Sequence, residues 1–87
     1  MTTGNIYEYS YPGFEYRRTI ATKGVWSKFI AYNPKYDVLV VSNWVSNDVS
    51  VIDFRTGDVK KLIKTKAAPR GMAFVDGGDS LIVLSFD

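Results

Sequence analysis

Val38-Leu39-Val40-Val41-Ser42 returns further along the chain as Ser80-Leu81-Ile82-Val83-Leu84. Ala31/Ala73, Asp37/Asp79, Leu39/Leu81 and Val41/Val83 are identical pairs, each 42 positions apart. The stretch ahead of each run repeats one residue wider. Ile20/Ile63, Thr22/Thr65 and Lys23/Lys66 are identical at a spacing of 43, and Arg17-Arg18 falls on Lys60-Lys61. A period of this size marks a unit that cannot bury its apolar face alone and stacks on copies of itself. The 87 residues hold about two such units. The chain is therefore expected to be a piece of an array, or a subunit that completes one by assembly.

Composition narrows what can stabilise it. One small domain is the most that this length allows, and a domain so short is marginal without a metal, a disulfide or a partner. There is no Cys and no His, which rules out a disulfide and leaves no ordinary ligand set for structural zinc. Packing and association remain. Hydrophobic residues make up 46% and charged residues 23%, as in a folded globular chain. The net charge of +2 is too balanced to point to nucleic acid. Met1 to Asn5 lacks the basic-then-apolar pattern of a secretion signal, and no apolar run approaches a membrane span.

Outward from the repeated run, every segment reads as strand. Short β-branched and aromatic stretches alternate with turn chemistry, and no window shows helical periodicity. The expected strands are Ile6 to Tyr11, Phe14 to Ala21, Lys28 to Tyr32, Asp37 to Ser42, Val49 to Phe54, Val59 to Lys64, Arg70 to Val75 and Ser80 to Ser85. Pro12-Gly13, with Gly13 supplying a positive φ, Asn33-Pro34-Lys35, Thr56-Gly57-Asp58 and Asp76-Gly77-Gly78-Asp79 are turns. Gly24-Val25-Trp26 and Ala67-Ala68-Pro69 are connectors. Eight strands with hairpin-length links predict antiparallel meanders. Val38 to Val41 and Leu81 to Leu84 are continuous apolar runs, expected to be buried on both faces. Lys60, Lys61, Lys64 and Lys66 suit an outer edge strand guarded by charge. Inner strands crowded and outer strands wet is the gradient of small sheets set radially.

Four segments in order carry a resemblance. They are Leu39-Val40-Val41-Ser42-Asn43, Asn47-Asp48-Val49-Ser50-Val51-Ile52-Asp53, Thr56-Gly57-Asp58-Val59 and Pro69-Arg70-Gly71-Met72-Ala73-Phe74. Together they resemble the YVTN-type β-propeller repeat, over roughly residues 37–78. Residues 1–36 depart from it: Tyr7, Tyr9 and Tyr11 replace the aliphatic pattern, and Trp26-Ser27-Lys28 replaces a Pro-x-Gly connector. The resemblance implies an all-β chain of about two propeller blades, each a four-stranded antiparallel meander with strands A to D running outward. The strands are then phased C-D, A-B-C-D, A-B. Residues 1–24 would be an outer half-blade, 25–66 a complete blade, and 67–87 an inner half-blade.

The two halves fit each other. Leu81 to Asp87 followed by Thr2 to Tyr9 imitates the intact segment from Leu39 to Ile52. Ile6, Tyr7 and Tyr9 on one side and Leu81, Ile82, Val83 and Leu84 on the other are the expected self-assembly strands. Three chains would close six blades and four would close eight, as a homotrimer or homotetramer. The alternative partner is the remainder of a larger propeller.

No catalytic constellation is visible, since the usual base for a Ser nucleophile is absent. Asp37/Asp79 and Asp48/Asp53 lie in or beside turns, where Asp caps its own backbone. Asp76 to Asp79 lacks the spaced oxygens of a calcium loop. Lys28 and Arg70 stand at equivalent positions of the two repeats. In the resembled arrangement they form cations around a channel mouth, with Trp26, Trp44, Asn47 and Asp48 nearby. That set reads as a site for an anionic or peptide-like ligand, or as solvated charges beside blade-packing indoles. Tyr7, Tyr9, Tyr11 and Tyr16 read as an aromatic face that stacks on a neighbouring blade, or as a glycan- or peptide-binding stripe. The function expected is a non-catalytic scaffold or recognition module, with no cofactor, no nucleic acid and no membrane span. A segment of a propeller enzyme (hydrolase, lyase or cofactor-dependent dehydrogenase) is the second reading. Surface-layer structure, where this repeat is often found, is a third.

Overall fold

The structure is a computed structural model that describes residues 3–86. Among these residues eight strands form three antiparallel sheets, with no closed barrel. The first sheet pairs β1 (Thr3–Tyr9) with β2 (Tyr16–Val25). The central sheet runs β3 (Ser27–Asn33), β4 (Val38–Asn43), β5 (Asp48–Asp53), β6 (Val59–Lys64), in that spatial order. The third sheet pairs β7 (Pro69–Val75) with β8 (Ser80–Ser85). The repeated segment expected to join Leu81–Asp87 to Thr2–Tyr9 includes Thr2 and Asp87, which lie outside the described residues.

The sequence repeat is also a repeat of hydrogen-bonding register. In β5–β6, Val49 faces Ile63 and Val51 faces Lys61, and a bulge follows before Ile52 meets Val59. In β1–β2, Ile6 faces Ile20 and Glu8 faces Arg18, and the same bulge precedes Tyr9 and Tyr16. Every one of these positions differs by 43. At an offset of 42, the Ile30–Val41 and Tyr32–Leu39 pairs of β3–β4 return as Met72–Val83 and Phe74–Leu81 of β7–β8. The bulge after Ser27 returns after Pro69. Two pairings with the same register and the same irregularity are one structural unit used twice.

Alternation along the strands splits the core into two layers. On one face of the central sheet, Leu39, Val41 and Ile52 pack with Ile20 of β2, flanked by Ile6, Phe54 and Val59. On the other, Val40 and Val49 pack with Met72 of β7, flanked by Ala31, Val51, Phe74, Leu81 and Val83. The central sheet is thus sandwiched, and all six residues of β4 are buried. Each fully buried Val or Ile contributes about 1.5–3 kcal/mol.

The double burial expected of Leu81 to Leu84 does not occur. Leu81 and Val83 face Met72 and Phe74, but Ile82 and Leu84 are 55% and 68% exposed. The cause is position: β8 belongs to an outer sheet, and among the described residues nothing covers its far face. β3 is likewise more open than an inner, crowded strand was expected to be, with Phe29, Ile30 and Tyr32 each over 40% exposed. β6 is exposed along nearly its whole length, and its Lys60, Lys61 and Lys64 line an outer edge.

Two local expectations are corrected. Gly24 and Val25 are strand, not connector: β2 runs to Val25, which pairs with Thr3, so Trp26 alone turns the corner into β3 with φ 60°. In the first turn it is Phe14, not Gly13, that takes the positive φ, at 57°.

A buried polar seam ties the first sheet to the second. Asn43 Nδ2 donates to Asp48 Oδ1 at 2.9 Å and to Ser50 Oγ at 2.8 Å. Ser27 Oγ donates to Asn43 Oδ1 at 2.7 Å, and Ser50 Oγ donates to the Thr22 carbonyl at 2.6 Å. Thr22, Asn43 and Ser50 are fully buried, and no buried side-chain polar atom among the described residues lacks a partner. Satisfied networks of this kind specify one arrangement, because any other leaves a buried group unpaired.

Charged ties span the sheets at the surface. Arg18 Nε donates to Glu8 Oε1 at 2.6 Å, while its Nη2 donates to the Phe54 carbonyl of the central sheet. Lys35 Nζ, beside β4, bridges to Asp79 at 2.7 Å, and Tyr36 Oη donates to the same carboxylate at 2.6 Å. The Arg18 hydrogen bond holds the Glu8 carboxyl below its ordinary value, against some desolvation. Those of Lys35 and then Tyr36 do the same for Asp79. The hydrogen bond to Asp79 in turn raises the Tyr36 phenol. A depressed carboxyl contributes stability that is present above its unfolded value and is lost as pH falls through the folded one. A raised phenol contributes stability that is present below its unfolded value and is lost as pH rises through the folded one. Thermal melts are therefore expected to be flat near neutrality and to fall below about pH 4 and above about pH 10. Asp79→Ala should flatten part of both limbs, and an unchanged profile would show that the pair adds nothing.

Candidate functional site

The residues expected at the channel mouth are mostly brought together, at the end of the stack where β2 turns into β3. The Trp44 N–H donates to the Trp26 carbonyl at 2.8 Å and the Val45 N–H to the Val25 carbonyl at 3.1 Å. These bonds dock the β4–β5 turn against the β2–β3 corner and set the two indoles 5.9 Å apart and 30° from parallel. The contact recurs in the third sheet, where the Phe86 N–H donates to the Ala68 carbonyl at 2.9 Å. Trp44/Phe86 and Trp26/Ala68 are each 42 residues apart, so Phe86 is the structural counterpart of Trp44.

Lys28 and Arg70 sit in the equivalent bulges of β3 and β7. Ser42 Oγ donates to the Arg70 carbonyl at 2.8 Å, which fixes the β7 backbone against β4. The Lys28 ammonium lies 5.2 Å from the Trp26 ring centre and 5.4 Å from that of Trp44. The Arg70 guanidinium carbon lies 4.8 Å from Trp44 and 5.3 Å from Phe86. Cations and rings therefore alternate across two sheets in the order Lys28, Trp44, Arg70, Phe86. Contacts of this kind are each worth about 0.5–1 kcal/mol at an exposed site. Between the cations lies a cleft of about 290 Å³, lined by Lys28, Phe29, Trp44, Arg70 and Gly71.

Asn47 and Asp48 do not line this cleft. Asn47 turns the chain with φ 55°, and its carbonyl accepts the Thr65 N–H at 2.9 Å. Asp48 is 5% exposed and is held by Asn43 and by Ser46 Oγ. Both bonds fall on Oδ1 and hold the carboxylate inside the seam between the first two sheets. Phe29, Gly71 and Phe86 were missed. The 42-residue offset points from Trp44 to Phe86, and it would have found that ring. Phe29 and Gly71 carried no such signal, since they are a matched pair of unlike residues.

The other turn carboxylates are structural. Asp53 Oδ1 accepts the Arg55 N–H at 2.9 Å, and Asp37 accepts the Tyr32 hydroxyl at 2.8 Å. Asp76–Gly78 forms a short 3-10 turn with positive φ at all three residues. Among the described residues no three His, Cys, Asp or Glu side chains are placed to hold a metal ion. Nor is any helix among them long and apolar enough to cross a membrane. Tyr7 and Tyr9 share the open face of β1, and Tyr9 meets Tyr16 edge-on at 6.2 Å. Tyr11 lies beyond the strand and meets Phe14 at 5.5 Å.

No protein-family model matches the chain. It is similar to Antigen Lp49 of Leptospira interrogans serogroup Icterohaemorrhagiae serovar copenhageni (strain Fiocruz L1-130), 32% identical over 87 residues. That match takes in 99% of this chain and 19% of the relative, so the chain spans about a fifth of the relative's length.

Proposed function

We propose that the chain is a non-catalytic β-propeller repeat module, a scaffold and recognition platform whose outer sheets are two halves of one blade. The observation that supports this is the shared register. The first sheet repeats β5–β6 and the third repeats β3–β4, so β8 joined to β1 of another copy rebuilds the β4–β5 pairing. The faces agree as well. The first sheet packs on the central one through Ile6 and Ile20, the face equivalent to Val49 and Ile63, and the central sheet packs on the third through Val49. Stacking in one sense is what a ring of blades requires.

A composite blade would cover the exposed Ile82 and Leu84 and give β1 and β8 partners on their bare edges. Closure by copies gives a homotrimer or homotetramer. The relative's greater length favours a second reading, in which further repeats of one longer polypeptide supply the missing halves. Light scattering of the 87-residue chain tests the first. Three or four times the 9.8 kDa of one chain is expected. Ile82→Asp, on an open face, should reduce that to one chain while strand content by circular dichroism persists. A wild-type mass of one chain would refute closure by copies.

A further inference from the structure

We propose that the cleft between β3 and β7 binds a small organic carboxylate with an apolar body, such as a free amino-acid derivative or the C-terminal residue of a peptide. Two cations from adjoining sheets line one cleft. Neither is in a salt bridge among the described residues. Like charges held together by the fold repel, and an anion between them relieves that repulsion. The rings of Trp44 and Phe86 engage Arg70 without using its N–H donors. A guanidinium so stacked keeps a planar fork that matches a carboxylate with two parallel bonds.

The remaining lining selects the rest of the ligand. Phe29 and Trp44 offer apolar walls, and a Cβ added at Gly71 would meet nothing within 4 Å, so the β7 backbone there is open to a guest. A bare inorganic ion would leave those walls wet, while an apolar body would cover them. The volume of about 290 Å³ lies at the small end of ligand pockets, enough for one residue rather than a long chain. The site is complete within one chain and does not depend on ring closure.

The protein supplies its own reporter. Its two tryptophans, Trp26 and Trp44, both belong to the cation–ring array, so tryptophan emission, excited at the red edge to leave out the six tyrosines, reads this place. The chain is titrated at constant ionic strength with N-acetylphenylalanine, its neutral amide and inorganic phosphate. A saturable emission change with the acid is expected, with the amide and phosphate each roughly tenfold weaker or more. Arg70→Gln and Lys28→Gln should each weaken the acid about tenfold, and Lys61→Gln on β6 should not. Equal response to acid and amide overturns the proposal, and so does phosphate binding as tightly as the acid. Unweakened binding by either cleft variant, with a normal thermal melt, also overturns it. If one variant fails to fold, the other carries the test.

Discussion

Asn43→Ala is expected to lower the unfolding free energy by about 3–5 kcal/mol, read as a drop in the urea midpoint. The volume removed is small. The cost arises because Asn43 is fully buried and is the hub of the seam between the first two sheets. Without it, Ser27 Oγ loses its acceptor, and Ser50 Oγ and Asp48 Oδ1 each lose a donor. Each keeps one other partner, so the cost is that of the three lost bonds, about 0.5–1.5 kcal/mol for each neutral one and about 1.5–3 kcal/mol for the one to the Asp48 carboxylate. Domains of this size have only about 5–15 kcal/mol in total, so the variant is expected to approach unfolding at 37 °C. Gly24→Ala attacks the same joint from the other strand. Its new Cβ would land within the Asn43 side chain, where the backbone of β2 passes directly over it. The double variant should then cost clearly less than the two single costs combined, because removing the Asn43 amide makes room for the methyl. Additive costs would show that the two residues do not share this contact. Lys61→Ala, on the exposed edge, should fall within about 0.5 kcal/mol of wild type.

What the sequence disclosed of this joint, and what it hid, follows from range. Strand positions were legible because alternation and turn residues act over a few neighbours: Val59–Lys64 and Ser80–Ser85 fall where the pattern put them. The 42- and 43-residue offsets carried longer-range information, but the expected grouping of strands as two, four and two came from the family resemblance rather than from the offsets. They could not show that Leu81–Leu84 lacks a cover on one side, since a repeated strand looks the same whether or not a neighbour is present. At the candidate site, Lys28, Arg70, Trp26 and Trp44 were legible as matched or aromatic positions. The bonds that draw Asp48 into the seam were not legible, because its partners, Asn43 and Ser46, are set by a turn closing in three dimensions. Phe29 and Gly71 are legible only once the bulges in β3 and β7 are known.

Paired cysteines give the composite blade its sharpest expected result, and the chain has none of its own to interfere. In the central sheet Val41 faces Ser50 and Ser42 faces Val49. Carried over by the two offsets, these pairs put Val83 opposite Tyr7 and Leu84 opposite Ile6 of a second copy. Successive pairs in an antiparallel ladder alternate between closer and wider spacing, so testing both covers either phase. Oxidation of Val83→Cys with Tyr7→Cys, or of Leu84→Cys with Ile6→Cys, should convert monomer on a non-reducing gel into trimer or tetramer. Within one chain the two sites lie on opposite sides of the central sheet, which blocks an internal bridge. Val83→Cys with Tyr9→Cys keeps the same face but slips by two residues. Diagonal neighbours sit about 7–8 Å apart, beyond disulfide reach, so that protein should stay monomeric. Cross-linking that ignores register would mean collision rather than a ladder. Its absence from both in-register pairs would mean that β8 and β1 do not meet between copies.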